Sequence, residues 1–144
     1  MSHNPHRLRI RVYWEDTDAG GLVYHSNYLN FAERARTEFV RELGLVQSEL
    51  ADGGRGYAFA VSDAQVKFLR SAKLDDELDV ESRLTEVGGA SANFVQCIKR
   101  VDDGTELVRL NIRLGFVALV GGRPARMPAD LRKRFMERLN ERLG

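Results

Sequence analysis

Little in this chain announces a specialised class of protein. There is one cysteine, Cys97, so no disulfide can form within the chain, and the composition fits a reducing compartment. Histidine is scarce too. His3 and His6 sit in what reads as a loose N-terminal tail, which leaves His25 alone, and no Cys, His and acid set has metal-ligand spacing. No metal is expected. Charge of one sign is also missing: 22 Lys and Arg against 21 Asp and Glu give +1, so no net field recruits nucleic acid or a membrane surface. No apolar run approaches the roughly 18 residues of a membrane span, which argues against membrane insertion. Met1 to Arg7 carries no hydrophobic signal core, and a cytoplasmic location is the expectation.

What is present is an ordinary globular composition. The 144 residues, 43% hydrophobic and 30% charged, suit one domain over residues 1–144 with a sizeable core. Leu8, Ile10, Val12 and Trp14 alternate with Arg7, Arg9, Arg11 and Tyr13, the period of a strand that Glu15 would end. Gly20-Gly21 breaks regular structure. Ser26 or Asn27 can cap a helix starting near Tyr28, whose apolar stripe runs through Phe31, Ala32, Ala35, Phe39 and Leu43 to a stop at Gly44. A short turn over Ser48 to Asp52 precedes Gly53-Gly54. Strand period returns at Tyr57, Phe59 and Val61, and then at Val66 and Phe68. Leu78 to Val87 and Ala92 to Val101 form a hairpin around Gly88-Gly89, and Val108 to Val120 alternate over a long strand. Pro128 opens a final helix with a Leu131, Phe135, Leu139 stripe. The class is α+β, with one antiparallel sheet of about five strands and a helix that must bury its broad stripe against it.

Chemistry concentrates between Glu15 and Tyr28. Three acids, a double glycine and a histidine crowd into one loop that runs into the helix. Asp18 can serve as nucleophile or as general base, and backbone N–H groups around Tyr24 to Asn27 are ready donors for a developing oxyanion. The alternative role for Asp18 is to stabilise its own Gly-rich turn, as acids there commonly do. Glu15 and Asp16 read as structural neighbours, and Cys97 as a core residue.

The segments Val12-Tyr13-Trp14-Glu15-Asp16-Thr17-Asp18-Ala19-Gly20-Gly21-Leu22-Val23-Tyr24-His25, Tyr28, and Glu33-Arg34-Ala35-Arg36-Thr37-Glu38 resemble the 4-hydroxybenzoyl-CoA thioesterase family. Within it they are most similar to the acyl-CoA thioesterases encoded with the Tol-Pal envelope system. Leu74-Asp75-Asp76 and Arg123 to Pro128 extend the resemblance to nearly the whole chain. It implies the hotdog fold, a long central helix wrapped by a curved sheet, in dimers joined sheet to sheet and often paired into tetramers. It also implies hydrolysis of a pantetheine thioester, with coenzyme A or an acyl carrier protein as the carrier and no separate cofactor. Asp18 and His25 are the implied catalytic residues. Gly21, Val23, Tyr24, Ser26 and Tyr28 would surround the acyl group, and Lys67 and Arg70 would meet the nucleotide phosphates, unless they are simply solvated. Two departures stand out: Trp14 replaces a tyrosine frequent in that branch, and Val117-Ala118-Leu119-Val120 lacks a Cys-Val-Asp-like ending. The competing expectations are a hotdog dehydratase pairing His25 with Glu33, and a non-catalytic module that binds acyl carriers.

Overall fold

A computed structural model describes residues 5–46 and 56–141. The elements in chain order are β1 (His6–Arg11), α1 (His25–Glu42), β2 (Tyr57–Phe68), β3 (Glu77–Val87), β4 (Ser91–Arg100), β5 (Glu106–Ala118) and α2 (Ala129–Glu141). The strands form one antiparallel sheet in the order β1-β3-β4-β5-β2, so β1 and β2 are its edges. The turn expected over Ser48 to Asp52 lies outside the described residues.

Alternation decides which face of each strand is buried. On β5, Val108, Leu110, Ile112, Leu114 and Phe116 are buried and the residues between them are more exposed. Their cross-strand neighbours Ile98, Gln96, Phe94 and Ala92 on β4 point the same way, as do Val80, Ser82 and Leu84 on β3. Against this face lies the stripe of α1, with Tyr28, Phe31, Ala32, Ala35, Phe39 and Val40 all at 1% exposure or less. α2 adds Leu131 and Phe135, the latter edge-on to Phe59 of β2 at 5.6 Å between ring centroids.

The opposite face is polar. Arg9 forks onto Asp79, Arg7 reaches Glu81, and Lys99 pairs with Glu81. Cys97, expected in the core, lies on this outer face between Val95 and Lys99, because strand alternation turns Phe94, Gln96 and Ile98 inward instead. Its thiol donates to Glu106 at 3.4 Å, and burial together with that carboxylate pushes it up to about 12.

Three further boundaries differ from the sequence expectation. β1 ends at Arg11, and Trp14–Asp16 forms a 3-10 turn, so Glu15 closes no strand. The carboxylate of Asp16 draws the chain into that turn by accepting the N–H of Tyr13 at 2.9 Å. α1 begins at His25, with Tyr24 as its N-cap and no side-chain cap bond, so Ser26 and Asn27 lie within the first turn. His6 belongs to β1, with its ring edge-on to Phe39, and is no part of a loose tail.

Candidate active site

The loop between β1 and α1 folds back on itself. Thr17 bridges Val23, Asp18 N–H donates to Leu22 O, and Tyr24 N–H donates to Asp16 O. Asp18 therefore stands on a short ribbon whose other side delivers the chain into α1. The carboxylate of Asp16 is spent inside this ribbon: it is buried and holds Tyr13 N–H and the Asn27 side-chain amide. Asp18 differs. Its Oδ1 accepts Gly20 N–H at 2.8 Å and Leu22 N–H at 3.1 Å, while Oδ2 has no partner among the described residues. One oxygen is held by the loop and the other is not.

Gly20 and Gly21 make that geometry accessible. A Cβ on Gly20 would come within 3.3 Å of Asp18 Oδ1, and Gly21 holds φ at +80°, where other residues are strained. The loop is also tied to the sheet side: Leu22 bridges Lys73, Val23 N–H donates to Ala72 O, and Leu74 N–H donates to Gly21 O.

A helix leaves its first N–H groups without intrahelical partners. Here Asn27 N–H turns to Tyr24 O, but the N–H groups of His25 and Ser26 meet no acceptor among the described residues. They lie at the positive end of the dipole of α1, a favourable place for negative charge. The His25 ring is exposed and rests on Phe68 at 4.5 Å between centroids. Phe68 is 44% exposed and ends β2, so it couples the far edge of the sheet to the helix start. In sequence it read only as a strand residue, because its partner lies on another element.

The remaining expected site residues separate into two groups. Gly21, Tyr24, Ser26 and His25 are at least partly exposed around the loop, with Tyr24 50% exposed. Val23 and Tyr28 are buried in the core and do not line an open surface of this chain. Tyr28 Oη accepts Ala72 N–H at 2.8 Å, which pins the helix to the segment after β2. Lys67 is exposed on the outer face, and exposed Arg70 donates to the carbonyl of Leu69. Among the described residues no group of three or more His, Cys, Asp or Glu is arranged to hold a metal ion. Nor, among them, is any helix long and apolar enough to cross a membrane.

A long helix laid across one antiparallel sheet, with an acid-bearing Gly-Gly loop at its start, defines a hotdog-fold thioesterase framework. The description "Thioesterase-like superfamily" matches residues 12–135, and the chain belongs to that family. It is 38% identical over 135 residues to the acyl-CoA thioesterase YbgC of Haemophilus influenzae, covering 94% of this chain and 97% of that one. A probable thioesterase from Bartonella henselae superposes with a TM-score of 0.79 at 34% identity, over 86% of this chain and 99% of that one. A 4-hydroxybenzoyl-CoA thioesterase complexed with 4-hydroxybenzoyl-CoA shares the fold, with a TM-score of 0.83 at 20% identity over 92% of this chain and 99% of that one.

Proposed function

We propose that this chain is an acyl-CoA thioesterase in which Asp18 activates the attacking oxygen and the N–H groups of His25 and Ser26 receive the oxyanion. The observation that carries this reading is the pair of donors opening α1 without acceptors among the described residues, at the end of a ribbon that carries a carboxylate with one oxygen unpartnered among them. Thioester hydrolysis needs those two things and little else. As a general base, Asp18 takes a proton from water, and the hydroxide adds to the carbonyl carbon. The oxyanion collapses, the C–S bond breaks, and the thiolate leaves and is protonated. As a nucleophile, Asp18 adds directly, expels the thiolate and leaves a mixed anhydride that water opens. Both routes place negative charge on the carbonyl oxygen, where preorganised donors help most.

The Tyr24 ring, Gly21 and Ser26 surround the thioester in this reading, and Lys67 and Arg70 meet the phosphates of the carrier. No separate cofactor takes part, because coenzyme A or an acyl carrier protein arrives with the substrate. The working unit is a homo-oligomer, a dimer or a tetramer made of two such dimers. Support comes from the contrast between the two sheet edges. The β1 sequence carries Arg7, Arg9 and Arg11, charges of the kind that discourage edge pairing, whereas β2 runs 12 residues with only Asp63 and Lys67 charged. The inward-facing Val61 and Phe68 of β2 are 47% and 44% exposed, apolar surface that a second copy would cover. A cytoplasmic setting and an association with the Tol-Pal envelope system complete the reading.

The test is thiol release from a panel of acyl-CoA and acyl carrier protein thioesters, with sedimentation of the same sample. Absence of thiol release across the panel overturns the reading. So does loss of water from a 3-hydroxyacyl thioester without thiol release. Label retained in the Asp18 carboxylate after one turnover in heavy-oxygen water identifies the anhydride route.

A further inference from the structure

Beneath the middle of α1 lies a buried polar cluster that the reaction described above does not use. Arg36 is 6% exposed, and Gln96 and Ser82 are fully buried. Arg36 Nη1 donates to Gln96 Oε1 at 3.0 Å. The Gln96 amide in turn donates to Ala32 O at 3.0 Å and to Ser82 Oγ at 2.9 Å. Among the described residues the guanidinium has no carboxylate within ion-pair distance, and burial lowers its affinity for the proton despite the field of Glu33.

Such an arrangement is poorly explained as a stabilising device. A buried charge without a counter-ion is costly, and an apolar side chain of similar length would fill the space with less penalty. What it supplies is direction. Apart from Tyr28 Oη on Ala72 N–H near its start, the buried face of α1 is apolar, through Phe31, Ala32, Ala35, Val40 and Phe39, the last edge-on to Phe94, and apolar contacts are non-directional. Arg36 and Ala32 lie on successive turns of one face. One glutamine on the central strand β4 therefore grips the helix twice, by a side chain and by a backbone carbonyl. Arg36 stands about 120° around the axis from Glu42, which faces His6 of β1, so the grip acts on the flank away from that edge.

We infer that the Arg36–Gln96–Ala32 clamp is a positioning device for the reaction, fixing the rotation and height of α1 so that the N–H groups of His25 and Ser26 stay aimed at the substrate carbonyl. The Asp18 loop has its own moorings, through Leu22 to Lys73 and Val23 to Ala72. The first turn of α1 shares those moorings, through Tyr28 Oη on Ala72 N–H and the Asn27 amide on Asp16, while the clamp holds the helix one to two turns further along, and the aim of the donors depends on both. Misplacement by about 1 Å can cost roughly 100-fold in rate. This inference rests on the thioesterase reading for its kinetic consequence, but not for its mechanical one.

The experiment compares Arg36→Met, Arg36→Lys and Gln96→Leu with the unaltered chain in steady-state thiol release, thermal unfolding and hydrogen exchange of α1. Arg36→Met is expected to keep or raise Tm while kcat falls roughly 10- to 100-fold and KM changes little. Gln96→Leu should slow turnover alike but lower Tm, because it leaves the buried Arg36 guanidinium without its acceptor, and Arg36→Lys, which retains a donor, should recover most of kcat. The double variant Arg36→Met/Gln96→Leu should be no slower than either single one, because both remove the same link. Faster exchange along α1 in Arg36→Met supports the clamp whatever the chemistry turns out to be. Full kcat in Arg36→Met, or unchanged exchange, overturns it. Failure of the unaltered chain to release thiol instead overturns the thioesterase reading, and exchange alone then decides the clamp.

Discussion

At its C-terminal end α1 is closed by the protein itself, whereas its N-terminal end is left open. After Glu42 the chain turns at Gly44, with φ at +86°, and Leu45 N–H returns to Val40 O. Arg134 of α2 then donates to the carbonyls of Leu43 and Gly44. His6 packs on Phe39 and reaches Glu42 at 3.3 Å. At the other end Tyr24 caps with extended backbone but offers no side-chain bond, and the N–H groups of His25 and Ser26 find no acceptor among the described residues. The same backbone groups are orphaned at every helix end. Where the protein satisfies them, the end serves stability; where it does not, at the end of a ribbon that carries a fixed carboxylate, the donors remain open to a ligand.

The sharpest way to break this comparison is at Asp18. Asp18→Asn keeps the acceptor for Gly20 and Leu22 but removes the base, so kcat for thiol release should fall by about 10²–10⁴ while Tm stays within a few degrees. Equal activity in a folded variant would leave the open end without its chemical half. Next in size is the donor itself. Tyr24 holds φ −61° and ψ 143°, an extended conformation that accepts a following proline, and the first helical position tolerates one. His25→Pro should therefore leave α1 intact and, by removing one N–H, slow turnover roughly 10²–10³-fold. His25→Ala keeps that N–H and should cost far less. A reversed order of these two variants would move the role from the backbone to the imidazole.

The two ends were unequally legible in the sequence. The C-terminal stop was readable because a glycine in the left-handed region is a local requirement, written in one residue. The helix start was not, because Ser26 and Asn27 have capping side chains and Tyr24 has none, yet the ribbon from Asp16 to Tyr24 sets where helical backbone begins. Asp18 could be picked out by its neighbours in the chain, but the free state of its Oδ2 follows from the folded loop. On β4, alternation alone could not say which face was inner. Gln96 is polar and buried, Val95 is apolar and 40% exposed, and only the clamp beneath α1 explains the inversion. Phe68 and the bare inward face of β2 depend on contacts between distant elements, which no local pattern encodes.

At the closed end the expected effects concern stability, not rate. Gly44→Ala forces a Cβ into the left-handed region and to within 2.9 Å of Arg134 Nη1, so unfolding should become easier by about 1–3 kcal/mol in denaturant titrations. kcat at a temperature where the variant is folded should be unchanged. A rate loss matching that of His25→Pro would erase the distinction between the ends.

The smallest effect is the pH response of the latch at His6. Burial, opposed by Glu42 and Glu38 and aided by Arg138, lowers this imidazole below its ordinary value of 6.5. Its Nδ1 is buried with no partner among the described residues, so a proton there would gain no acceptor. The unfolded chain therefore binds the proton more readily than the folded one. The contribution to stability is complete above about pH 6.5 and is lost as pH falls below that value toward the lowered one. His6→Gln removes the titration. Thermal unfolding of the unaltered chain should lose a few degrees more between pH 7 and 5 than that of His6→Gln, with the two curves parallel above neutrality. Parallel curves throughout would mean that the ring changes protonation without consequence for β1, and that the closure of this end rests on Gly44 and Arg134 alone.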